Sequence, residues 1–175
     1  FPDGMKRVID GRPVAIRRIC VDSLRRLQTD VIDLYQLHWP NRDVYHFRDI
    51  WTFDPRGATA AETEAHMVEI LEEAAKLVAE GKIRHLALSN ETVWGTAKWL
   101  HLAEKHGLPR MMTAQNEYSL LCRQFDTDWA EFSLIEDMPL LAFSPMFALL
   151  WAVGIGAALG AVWQAKYHRL TALAL

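Results

Sequence analysis

The stretch SLRRLQTDVIDLYQLHWPNR, Ser23 to Arg42, decides how the rest of the chain is read. Its first part closes an amphipathic pattern. From Arg12 to Gln28 the apolar residues Ile16, Cys20, Leu24 and Leu27 recur at helical spacing, and Arg17, Arg18, Arg25 and Arg26 between them form a solvated face. Val31 to Leu37 is mostly apolar, β-branched at its start and too short for an independent helix, so it reads as a buried strand. His38-Trp39-Pro40 ends it, because proline has no N–H to give a sheet ladder.

Working outward, the same helix-then-strand unit repeats. Asn41 to Ala61 has no period and mixes charged, aromatic and Gly/Pro residues, as a long functional loop does. Glu62 to Glu80 reads as a helix with Met67, Ile70, Leu71, Ala74 and Leu77 on one face and Gly81 at its C-cap. Ile83 to Leu88 is a strand ending in Ser89-Asn90, and Thr92 can cap a helix that runs to His106, where Gly107 and Pro109 stop it. Met111 to Ala114 is a strand ending in Gln115-Asn116, a helix spans Thr127 to Asp137, and Leu140 to Phe143 is a strand ending in Ser144-Pro145. Strands alternating with helices imply an α/β fold with a parallel sheet joined by right-handed crossovers. Ligand sites of such sheets lie at the carboxyl ends of the strands. Ser, Asn and Gln after a strand are also ordinary turn and N-cap residues, and either reading accounts for any one of them. Together with His38 they make one rim of an imidazole, carboxamides and hydroxyls, suited to hydrogen-bonding a carbonyl and an amide.

The 175 residues carry 19 basic and 22 acidic side chains, a net charge of −3 and 51% apolar residues. That excludes disordered, collagen-like and strongly basic nucleic-acid-binding classes. Two cysteines, Cys20 and Cys122, exclude a disulfide framework, and no metal site is expected. A cytoplasmic location is the reading that follows from these thiols and the lack of a signal-peptide stretch. The chain begins with Phe rather than Met, as a processed or incomplete chain does, and beyond Pro139 only Lys166 and Arg169 are charged.

The blocks SLRRLQTDVIDLYQLHWPNR, EGKIRHLALSNET (80–92), QNEYSLL (115–121) and LLAFSP (140–145) closely resemble, in order and spacing, the fourth to seventh strand regions of the aldo-keto reductases. The Tas-like and potassium-channel β-subunit-like subgroup is the most similar. The resemblance covers about residues 12–145. It implies a partial (β/α)8 TIM barrel over residues 1–145, strands 4 to 7 with their helices, and NADP(H)-dependent reduction of small aldehydes and ketones, with NAD not excluded. By position, His38 resembles the family's catalytic histidine, which donates to the substrate carbonyl oxygen. Trp39 would flank the substrate pocket, and Ser89, Asn90 and Gln115 would hold the nicotinamide carboxamide. Phe143 stands where the family usually stacks a Tyr, and Ser144 resembles the start of the loop along the pyrophosphate. The family tetrad is Asp, Tyr, Lys and His; only the histidine has a counterpart here, so the chain alone is expected to be weakly active or inactive. The alternatives are a non-catalytic nicotinamide-nucleotide-binding or interaction subunit, or a non-functional gene fragment.

The family pattern stops after Pro145, and residues 146–175 read as an atypical apolar tail. Met146 to Trp163 holds 18 uncharged residues, the length of a membrane-helix candidate, yet it follows a soluble barrel strand and reads better as a frameshift or truncation product than as a membrane span. Its Gly154, Gly156 and Gly160 are spaced one residue off a dinucleotide fingerprint and lack the carboxylate that would follow. An open barrel segment also exposes strand edges, through which self-association is expected.

Overall fold

The computed structural model describes residues 13–46 and 49–145; the whole of the apolar run from Met146 and its glycines lies outside them. The expected helix α1 spans Pro13–Leu27 and strand β1 Ile32–Leu37. Ile16, Cys20 and Leu24 are buried as the spacing requires, whereas Leu27, at the frayed end of the stripe, is 65% exposed. One of the arginines expected in solvent is not a free surface charge. Arg17 reaches across to α2, where it pairs with Glu73 and makes two hydrogen bonds to Glu80, at 2.9 and 2.7 Å. Arg17 first and Lys82 second hold the Glu80 carboxyl down to about 2.

Helix α2 runs from Ala60 to Ala79, two residues earlier than the apolar pattern suggests, because Thr59 caps it. The Thr59 hydroxyl accepts from the Glu62 N–H at 3.3 Å and donates to the Glu62 carboxylate at 2.6 Å, a closed capping arrangement in a T-x-x-E sequence. Glu80 is the C-cap, and Gly81 follows it at φ +70°, a left-handed conformation that glycine adopts without strain. Strand β2 spans Ile83–Ser89 and helix α3 Val93–His106, with Thr92 as N-cap and Gly107 as left-handed C-cap. Strand β3, Met111–Glu117, takes in Gln115 and Asn116, which the sequence pattern put after the strand. Helix α4 is short, Asp128–Ile135, anchored by Trp129 against Phe125 and Phe132, and β4 is Leu140–Phe143. Within the long 41–59 loop, one-turn 3-10 helices form at Asp49–Trp51 and Pro55–Gly57.

The four strands form one all-parallel sheet in the order β1-β2-β3-β4, the arrangement of four consecutive βα units of a (β/α)8 barrel. Partner residues across a parallel ladder share a face. Tyr35 with Leu86, and Leu37 with Leu88, face the helices, where Met67, Leu71, Leu77, Leu102 and Met111 complete a core of nearly fully buried side chains. The opposite face carries the other register: Gln36 with Ala87, Ser89 with Gln115, and Gln115 with Leu141. The face toward the helices is thus apolar at Tyr35 and Leu37 of β1 and at Leu86 and Leu88 of β2, while the opposite face mixes polar residues (Gln36, His85, Ser89, Gln115) with apolar ones such as Ala87 and Leu141.

Leu71 and Leu86 are both 0% exposed at the centre of this core. Truncating either to alanine is expected to cost about 2–5 kcal/mol, read as a lower midpoint in urea unfolding. A smaller loss, about 1 kcal/mol, is expected for Gly107→Ala, whose φ is +63°.

Candidate active site

Parallel pairing fixes the rim. One step beyond the Leu37–Leu88 pair, His38 comes beside Ser89, and Ser89 pairs with Gln115. His38 just after β1, Ser89 at the end of β2 and Gln115 of β3 therefore come together in a row at the carboxyl edge of the sheet. The row is stitched from the β2 end. The Ser89 hydroxyl donates to the Gln115 carbonyl at 3.1 Å and the Asn90 N–H to the same oxygen at 3.0 Å. The Asn90 side-chain amide donates to the His38 carbonyl at 2.9 Å and to Ser89 Oγ at 3.1 Å. Asn90 does this from a left-handed backbone, φ +55°, which asparagine tolerates better than other side chains with a Cβ.

The four residues differ in exposure. Ser89 and Asn90 are 6% and 1% exposed, Gln115 is half-buried, and the His38 imidazole is exposed at the head of the row. Asn90 Oδ1 is buried with no hydrogen-bond partner, an acceptor left over at the rim. Phe143 lies one strand further along, two residues past Leu141 on the same face, and is half-buried. Ser144 follows it, exposed and at φ +54°. Trp39 is half-buried and, with His38 and Ser89, lines a cleft of about 1200 Å³ whose aromatic wall includes Tyr45, Phe53 and Trp94.

A set of buried residues behind the row carries no spacing signal in the sequence. Glu91, 2% exposed, receives the Arg42 guanidinium, the Trp99 indole N–H at 3.2 Å and the Thr92 N–H at 2.7 Å on its carboxylate. Its carbonyl accepts from the Asn116 side-chain amide at 3.0 Å, and His46 Nε2 lies 3.2 Å from it. The guanidinium of Arg42 also donates to the Thr92 hydroxyl at 3.0 Å and lies over the Trp94 ring, 5.1 Å from its centroid. Gly95 leaves the space this requires: a Cβ there would overlap Glu91 Oε1 and Arg42 Nη2. Only the opposite charges placed just after two strand ends hinted at the pair. Burial pulls the His46 imidazole down to about 4, the Arg42 charge acting the same way and the bond to the Glu91 carbonyl opposing it.

The carboxyl edge of the four-stranded parallel sheet thus gathers an imidazole, a hydroxyl and two carboxamides, at the level where (β/α)8 barrels carry their ligand sites. The Aldo/keto reductase family model matches residues 5–149, and the chain belongs to that family. It is 46% identical over 132 residues to protein tas of Escherichia coli (strain K12), covering 74% of this chain and 36% of that protein, which supports the Tas-like subgroup. An aldo-keto reductase of Babesia bovis is 36% identical, with 71% of this chain and 46% of that protein covered. Among solved structures, an aldo-keto reductase from Klebsiella pneumoniae in complex with NADPH aligns with a TM-score of 0.57 at 30% identity, over 76% of this chain and 38% of that one. The glycerol dehydrogenase of Gluconobacter oxydans aligns with a TM-score of 0.58 at 27% identity, over 81% and 35%. The chain therefore spans less than half the length of these relatives.

Two outcomes follow from the buried cluster. Gly95→Ala should displace the Glu91 carboxylate from Arg42 and cost upward of about 3 kcal/mol in urea unfolding, since it breaks a buried pair without removing its charges. His46 takes up a proton near pH 6.5 when unfolded but only near 4 when folded. The unfolded state therefore binds the extra proton as pH falls through that window, and stability present above pH 6.5 is lost toward pH 4, by up to about 3 kcal/mol. Denaturation midpoints at pH 7, 5.5 and 4.5, set against those of His46→Gln, isolate this contribution.

Proposed function

We propose that this chain carries the histidine and the nicotinamide-holding side of an NADP(H)-dependent aldo-keto reductase site that acts on small carbonyl compounds. The observation that carries the reading is the row His38, Ser89, Gln115, with the unpartnered acceptor of Asn90 beside it. A nicotinamide carboxamide offers one donor and one acceptor. Asn90 Oδ1 suits its NH2, and the Gln115 carboxamide, which has no hydrogen bond to another described residue, supplies a complementary group. The donor set thus fits the group, and NADPH, when bound, supplies the hydride.

Each residue then has a role that its position supports. Ser89, Asn90 and Gln115 fix the orientation of the ring, Phe143 provides an apolar face against which it can lie, and Ser144 begins the segment that follows the pyrophosphate. His38, exposed at the head of the row, donates to a carbonyl oxygen on which negative charge develops as the carbon is reduced. Trp39 flanks the substrate side, beside a cleft whose wall includes Tyr45, Phe53 and Trp94. Among the 175 residues we identify no counterpart of the family's Asp, Tyr and Lys, and on this reading the chain by itself binds cofactor but turns over slowly or not at all. The same feature supports the second reading, a subunit that binds the nucleotide without catalysis. We further infer a cytoplasmic location, where Cys20 and Cys122 stay as thiols.

Titration of the chain with NADPH, followed through quenching of tryptophan emission, is expected to saturate, and Asn90→Ala or Gln115→Ala to weaken binding about tenfold. Steady-state assay with NADPH and a reactive aromatic aldehyde is expected to give little turnover. Enzyme-like turnover abolished by His38→Ala would instead mean that another residue of this chain supplies the proton, and absence of NADPH binding would exclude both readings.

A further inference from the structure

Arg42 and Glu91 are charged residues taken almost wholly out of water, with 9% and 2% of their side chains exposed. Such pairs are poor sources of stability, because desolvation offsets the attraction and a well-packed neutral pair often serves as well. Their location is more informative. Glu91 directly follows Asn90, the left-handed residue whose side chain bonds the His38 carbonyl. Arg42 stands four residues after His38, beyond the buried Pro40. The Glu91 carboxylate is held by Arg42, by Trp99 of α3 and by the Thr92 N–H, and its carbonyl by Asn116 of β3. Both the side chain and the carbonyl of Glu91 are therefore held, directly beside the left-handed Asn90. The loop that leaves His38 is tied to the same point through the guanidinium.

We propose that the Arg42–Glu91 pair is a positioning device for the site: it locks the Asn90 turn to the loop carrying His38 and Trp39, and so sets the spacing between the carbonyl-directed imidazole and the nicotinamide-directed carboxamides. This rests on the cofactor reading above. Neither residue touches the reacting groups; both act through Asn90 and the 38–42 segment. The bidentate geometry matters, since the Arg42 Nη1 and Nη2 atoms each meet a different carboxylate oxygen.

A purely structural pair and a positioning pair separate in a double-mutant experiment on the 175-residue chain. Glu91→Gln and Arg42→Met each leave one buried charge alone and should lower the urea midpoint, whereas the double variant Arg42→Met/Glu91→Gln leaves none and should recover most of that loss. NADPH affinity, read by tryptophan quenching, should stay at least tenfold weaker than wild type in the double variant despite the recovered stability. Arg42→Lys keeps the charge without the planar fork, so it should fold and still bind several-fold more weakly. A double variant that recovers both stability and affinity to within twofold of wild type, or an Arg42→Lys protein with unchanged affinity, overturns the positioning role while leaving the cofactor reading intact. A wild-type chain that does not bind NADPH overturns the cofactor reading and the positioning role together.

Discussion

A carboxylate buried beneath a strand end has to be met by donors on every side, and the Glu91 carboxylate is. Taking a single carboxylate out of water costs several kcal/mol even after the protein relaxes around it. The fold answers with a guanidinium from the loop after β1, an indole N–H from α3 and a backbone N–H from the turn itself. Each of those donors must arrive at the right place for the cost to be covered, so this one residue constrains the 38–46 segment, the start of α3 and, through Asn116, the end of β3. The requirement for a glycine at position 95, where any side chain would intrude on the carboxylate, follows from the same crowding.

The rim that this cluster supports is ordered by the sheet. Parallel strands in register bring the same level of each strand to one row, so the carboxyl ends of β1, β2 and β3 meet without any long-range motif linking them in sequence. Ser89 and Asn90 then spend their hydrogen bonds on neighbouring strand ends rather than on solvent, leaving one acceptor over. An edge built from strand ends in this way is closed at Asn90, which is buried, and open at His38, which is exposed.

Much of this was legible from residue order. The apolar period placed α2 and α3 to within two residues, because the buried faces of Met67, Leu71 and Leu77, and of Trp99 and Leu102, are long and regular. Where periodicity thinned, local chemistry decided instead. Thr59 started α2 ahead of its first buried residue, and β3 ran on through Gln115 and Asn116 because ladder pairing with β2 and β4 continues past the apolar run. Arg17 was misplaced for a related reason. An arginine on a polar helix face looks solvated until the partner helix and its two glutamates are in view.

The sequence by itself determined the alternation of helices and strands, the parallel sheet this implies, and the identity of the polar residues at the strand ends, since side-chain periodicity and chain breakers act locally. The tertiary structure alone decided which of those residues meet and what holds them. The Asn90 side-chain amide reaches the His38 carbonyl, and the meeting of the 42 and 91 turns made two ordinary surface-type residues into a buried ion pair. Neither outcome has a signature at short range, because both are contacts between segments about fifty residues apart, the Arg42–Glu91 separation being 49. Such contacts exist only once the intervening helix has returned the chain to the sheet.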